Sequence, residues 1–204
     1  MLAAIALAAG TYAYQAKMSG SLAGNSTVTV TPTTISEKAS GSAMGMQFNA
    51  STAMTLDTGL VPTQYDGDYS TGGQSAHVTA AVAGGSATVT GAIGQTQPQT
   101  VPLGEGTKEF AVIEPGLIGG LFALPAQIAE WQTKKITAIA PSRAVGETLE
   151  VVDSPTARPA GVPAADVALS FGGAVPFTIW YDPSTYVPDE IDVPSQNLQA
   201  TRVR

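Results

Sequence analysis

Residues 44–57 read Met44-Gly45-Met46-Gln47-Phe48-Asn49-Ala50-Ser51-Thr52-Ala53-Met54-Thr55-Leu56-Asp57. One alternate set, Met44, Met46, Phe48, Ala50, Thr52, Met54 and Leu56, is mostly apolar, and the other is mostly polar. Side chains of an extended chain point alternately to opposite faces, so this period of two describes a long strand with one face turned to a core. The same pattern recurs on either side. Strands are expected over Tyr12–Leu22, Ser26–Thr31, Thr34–Ala39, Gln64–Ser70, Ala76–Val82, Ala87–Ile93, Thr100–Leu103 and Phe110–Ile113. They resume over Lys135–Ala140, Thr148–Val152, Val167–Phe171, Phe177–Asp182, Glu190–Val193 and Leu198–Val203. Gly24-Asn25, Asp66-Gly67, Gly72-Gly73 and Gly84-Gly85 are the expected hairpin turns, because tight turns need residues that tolerate positive φ.

One stretch breaks the alternation. Between Gly116 and Trp131 the spacing of Leu121, Leu124, Ile128 and Trp131 is helical, with Pro115-Gly116 turning the chain into it and Pro125 expected to split or kink it. A helix beside a wide sheet must bury its apolar stripe against that sheet. The expected fold is therefore mainly β in the α+β sense: a long curved antiparallel sheet or half-barrel with one kinked helix packed on its concave face. Ser154–Pro163, rich in proline, reads as an exposed connection.

The chain has 204 residues, enough for one sizeable core, and only 12% of them are charged. A net charge of −7 argues against nucleic acid as a partner, since phosphate binding needs clustered Lys and Arg. With no cysteine and a single histidine, thiol catalysis, zinc thiolate sites and histidine-based metal sites are excluded, and no metal or cofactor is expected. Met1–Ala9 is apolar and small residues follow, so residues 1–13 are expected to be the remnant of a signal peptide, leaving 14–204 as a single β-rich domain that is periplasmic or secreted. No stretch is long enough for a transmembrane helix.

Asp57-Thr58-Gly59 is the sharpest chemical motif. Aspartic peptidases hold such a triplet in a tight turn, where two aspartates share a proton, and Leu117-Ile118-Gly119-Gly120 ahead of a helix is similar to a second hallmark of retropepsins. Against this stand Leu60 in place of a small residue, the long strand running into the triplet, and the absence of a second triplet. His77, on the phase opposite Val78 and Ala80, reads as solvent-facing, and no Gly-x-Ser-x-Gly elbow accompanies it. Asp189, Glu190 and Asp192 read as a solvated strand edge. Leu56–Pro62 and Tyr181–Pro188 echo one another as strand, Asp, turn, Val-Pro, strand.

The apolar face remains. Met44, Met46, Phe48 and Met54, opposed by Leu121, Phe122, Leu124 and Trp131, could enclose a greasy ligand. The meander, the inserted helix and the hairpin from Ile179-Trp180-Tyr181-Asp182-Pro183 to Val187-Pro188 resemble the periplasmic half-barrel proteins related to the lipoprotein carriers. That resemblance implies an open sheet curled around a helix, with acyl chains in the concavity. The expected function is a non-enzymatic binding or carrier module for an apolar or lipid-like molecule. The alternatives are an aspartic peptidase using Asp57 as a homodimer, and a structural envelope protein with a filled core.

Overall fold

A computed structural model describes residues 5–43, 46–83, 85–103, 109–155 and 157–204. Among the described residues the expected strands form a single fifteen-stranded sheet. Its first half is a meander of β1 (Gly10–Met18), β2 (Ser21–Val30), β3 (Thr34–Ala43), β4 (Met46–Leu56), β5 (Pro62–Thr71), β6 (Gln74–Ala83), β7 (Ser86–Thr90) and β8 (Gln99–Pro102). The second half comprises β9 (Phe110–Val112), β10 (Lys135–Ala140), β11 (Val145–Val152), β12 (Val167–Gly172), β13 (Phe177–Tyr181), β14 (Pro188–Val193) and β15 (Leu198–Val203). The halves join where β1 pairs antiparallel with β15. All neighbours are antiparallel except β9 and β10, and the crossover between those two contains the helix α1 (Gly119–Trp131). β8 and β9 stand at the two ends of the order, and residues at those ends meet. The Thr137 hydroxyl in β10 donates to the Leu103 carbonyl at 3.1 Å, and the Ile93 N–H donates to the Ser142 carbonyl at 2.8 Å.

Burial follows the alternation read from residues 44–57: Ala50, Thr52, Met54 and Leu56 are buried, whereas Gln47, Asn49, Ser51 and Thr55 are exposed. Two expected turns lie instead inside strands. Gly24 pairs with Gly41 across β2 and β3, and a Cβ on Gly24 would come within 2.7 Å of the Ser40 carbonyl oxygen, so the glycine permits close approach of two strands. Asp66-Gly67 is mid-β5, where Gly67 leaves space for the ring of Tyr69. The turn that the sequence hid is Ser19-Gly20, which divides the stretch expected as one strand over 12–22 into β1 and β2. Gly72-Gly73 is a turn as expected; Gly84 lies outside the described residues.

The helix is not a surface helix with one apolar stripe. Phe122, Ala123, Leu124, Pro125, Ala126 and Gln127 are consecutively buried, as expected of a helix apolar around its circumference. It contacts β3, β9 and β13. Pro125 does not split it; α1 runs through the proline without a break, although the proline withholds one backbone donor. Residues of the expected leader segment also join the core. Leu7 is buried, the Ile5 N–H donates to Glu130 Oε2 at 2.9 Å, and the Tyr12 ring lies 5.1 Å from Phe122.

Candidate functional site

The connections β1–β2, β10–β11, β12–β13 and β14–β15 gather at one end of the sheet, as the alternating strand directions require. At this end is a cavity of 430 Å³, lined chiefly by apolar side chains that include Phe48, Leu117, Leu121, Phe177, Ile191 and Leu198. Two matched turns form part of its rim. Pro141–Arg143 and Pro194–Gln196 are each one 3-10 turn, each closed by a residue of positive φ, Ala144 at 51° and Asn197 at 48°. Proline suits the start of such a turn because its missing N–H would have no partner there. Among the described residues the ionisable ones that line the cavity are Glu114, Arg143 and Glu147.

Two buried carboxylates organise the same end. Glu37 is 2% exposed, yet it lies on the inward phase of β3 between Ile35 and Ala39. Its Oε2 accepts from the Gly119 N–H at 2.7 Å, the Ile118 N–H bonds to both oxygens at 3.0 Å, and Ser26 Oγ donates to Oε1 at 2.5 Å. The first amides of a helix lack partners within it, so a strand residue 81 positions away in sequence satisfies what a local cap would normally satisfy. Burial pushes the Glu37 carboxyl above the usual range while these donors pull it down. Glu114 accepts from the Ser142 N–H and hydroxyl, both at 2.6 Å, and so fixes the turn that carries Arg143. Burial likewise raises Glu114 against the pull of Ser142, Tyr69 and the nearby Arg143. The Tyr65 and Tyr69 hydroxyls bond to each other beside it, and burial pushes both phenols upwards.

No family model matches this sequence, and no curated protein matches it. Among solved structures the chain is similar to a β-barrel-like protein of domain of unknown function DUF1849 from Brucella abortus, with 12% identity, a TM-score of 0.60 and 98% of each chain covered. It is also similar to a DUF1089 family protein from Pseudomonas aeruginosa, with 9% identity, a TM-score of 0.53 and 96% of each chain covered. These likenesses show the fold: mainly β and barrel-like over essentially the whole chain.

Of the eight ligand-lining residues expected from the sequence, Phe48 and Leu121 line the barrel-like cavity. Phe122 and Leu124 are fully buried core, and Met54 is 4% exposed within the same core. Met46 is 52% exposed at the start of β4, and Met44 lies outside the described residues. Trp131 acts as a clamp rather than a cavity wall. Its Nε1–H donates to the Gly59 carbonyl at 2.7 Å, while Gln127 Nε2 donates to the Leu60 carbonyl at 2.8 Å. The helix C-terminal half thus grips the β4–β5 turn at the opposite end of the sheet.

That turn contains Asp57-Thr58-Gly59. Asp57 is exposed and its Oδ1 accepts from the Gly59 and Val61 amides at 2.8 and 2.9 Å, the arrangement of an aspartate stabilising its own turn. Leu60 has φ 61° and is buried, which accounts for a large residue where the peptidase motif carries a small one. The echo around Asp182 is close: its Oδ1 accepts from the Ser184 amide and hydroxyl, Tyr186 has φ 60°, and both hairpins have a register shift just before the aspartate.

His77 is exposed on the outer wall as expected, with Nδ1 2.9 Å from Asp68 and Nε2 3.6 Å from Asp66. The count of one histidine overlooked such a mixed set, whose ligand atoms lie within 4.8 Å of one another. Both ring nitrogens already face a carboxylate, the geometry of a surface ion pair. The group Asp189, Glu190 and Asp192 is not a solvated edge. β14 lies between β13 and β15, Asp189 and Glu190 are buried, and Asp189 meets Arg202 and Arg204 at 2.9 and 2.7 Å. Beside Asp189, burial and the neighbouring carboxylate push Asp166 up to about 6.

Proposed function

We propose that this chain is an exported binding or carrier protein that takes up an apolar or lipid-like molecule in the cavity at the β10–β11 end of its sheet. The helix fills the rest of the concave face, and the molecule occupies what the helix leaves. The observation that carries this reading is the 430 Å³ cavity, whose wall is formed by inward-facing aliphatic and aromatic side chains. That volume falls in the range of about 300–1,000 Å³ common for small-molecule sites. Exposed apolar surface in a concavity gains free energy when an apolar ligand displaces water from it. The resemblance to the periplasmic half-barrel carriers supports both the ligand class and export.

Native mass spectrometry of the purified chain after incubation with a lipid extract tests the reading. The expected result is a bound apolar molecule, lost in Ala16→Phe, which places a ring in the cavity from β1. A chain that retains nothing, and does not enhance the fluorescence of an apolar dye, is a filled structural sheet and the reading fails.

A further inference from the structure

Resting on that reading, the geometry points to a narrower ligand: we infer that the cavity takes an amphiphile with an anionic head, and that Arg143 holds the head. Among the described residues Arg143 is the one cation that lines the cavity. Its side chain is exposed and makes no ion pair or hydrogen bond with any described residue, unlike Lys135, Arg202 and Arg204, which each pair with a carboxylate. A guanidinium with free donors at the mouth of an apolar cavity is matched by a carboxylate or phosphate, which it can meet with two parallel hydrogen bonds.

The site is held in advance of any ligand. The Ser142 N–H and hydroxyl are both locked by Glu114, the Ser142 carbonyl accepts from Ile93, and the Ala144 N–H closes the turn on the Pro141 carbonyl at 3.1 Å. Four bonds therefore fix the backbone on either side of Arg143 while its own head stays unengaged. The nearby carboxylate that could neutralise it, Glu114, is occupied by the serine and by Tyr69. Glu147 lines the same cavity from β11 and opposes an anion there, so it tunes the preference without supplying it. In a chain of net charge −7, a free arginine at this one mouth selects for an anionic head against the general field.

The test is competition against a fluorescent undecanoic acid by dodecanoic acid, dodecanol and dodecylamine, in the wild type, Arg143→Gln, Arg143→Lys and Glu147→Gln. The acid is expected to bind about tenfold tighter than the alcohol, a charge-assisted pair of about 1.4 kcal/mol. Arg143→Gln removes that advantage without weakening the alcohol, Arg143→Lys restores part of it, and Glu147→Gln strengthens the acid. Equal binding of acid and alcohol, indifferent to Arg143, overturns the head-group assignment and leaves the cavity reading standing. Absence of binding by all three overturns both.

Discussion

The two ends of α1 are held by opposite means. At its N-terminus a strand reaches the helix: Glu37 on β3 supplies a buried carboxylate to the Ile118 and Gly119 amides. At its C-terminus the helix reaches a turn: Gln127 and Trp131 donate to the carbonyls of Leu60 and Gly59. The first end borders the cavity, since Leu117, Ile118 and Leu121 line it, and the second lies away from it. Removing a buried carboxyl that serves three donors leaves each of them without a partner, whereas two hydrogen bonds to a part-exposed turn make a milder clamp. The end of the helix beside the cavity is the more rigidly specified one.

Glu37→Ala breaks the first contact and has the largest expected effect. Two helix amides and the Ser26 hydroxyl lose their acceptor in a buried place, which costs about 3 kcal/mol, read as a lower urea midpoint. Glu37→Gln keeps an acceptor oxygen and costs about 1 kcal/mol. It also changes the pH profile. Because burial raises the Glu37 carboxyl in the folded state, its contribution to stability is fully present below the unfolded value of about 4.3 and is lost as pH rises through the folded value. The fall in stability as pH rises above the unfolded carboxyl value is therefore shallower in Glu37→Gln, with Glu114 still supplying part of it. An unchanged slope would show that the surrounding donors fully offset the burial.

Trp131→Phe tests the other end with a smaller expected loss of about 1 kcal/mol, since a phenyl ring keeps part of the packing while the indole N–H and the rest of the bicycle are removed. Hydrogen exchange at the Val61 amide, held by Asp57, should accelerate with it. If Trp131→Phe proves as costly as Glu37→Ala, the contrast between the two ends is wrong.

Most of the sheet was legible because alternation is local: a strand reports its own inward face, and Met54 and Leu56 are buried in the phase read from the sequence. What was not legible depended on partners distant in the chain. Gly24-Asn25 has turn chemistry, but Gly41 opposite it makes it a site of close strand approach. Pro125 suggests a split or kinked helix, and α1 is not split there: residues 122–127 are buried in succession. The acidic run at 189–192 looked like a surface because its arginines lie a strand away in β15 and at the C-terminus. Of the site, Phe48 and Leu121 could be found by apolar phase, whereas Arg143 had no periodic signal. Glu37 did carry one: a charged residue on the buried phase of a strand demands a partner.

The smallest expected effects come from the two aspartate turns, which separate turn stabilisation from catalysis. Asp57→Ala removes the acceptor for the Gly59 and Val61 amides, and Asp182→Ala removes it for Ser184; each is expected to cost under about 1 kcal/mol because both turns are exposed. The Asp57 turn should suffer more, since the grip of Gln127 and Trp131 depends on the position of the Gly59 and Leu60 carbonyls. The Asp182 carboxyl is held below its usual value by the Ser184 hydroxyl and amide. Its contribution is therefore present above the unfolded value of about 3.9 and is lost as pH falls through the folded one. Denaturation of the pair of variants at neutral pH and near pH 3 reads both points. A wild-type chain that cleaves peptides in acid, and loses that activity in Asp57→Asn while keeping its stability, would give Asp57 a role that the turn geometry does not require.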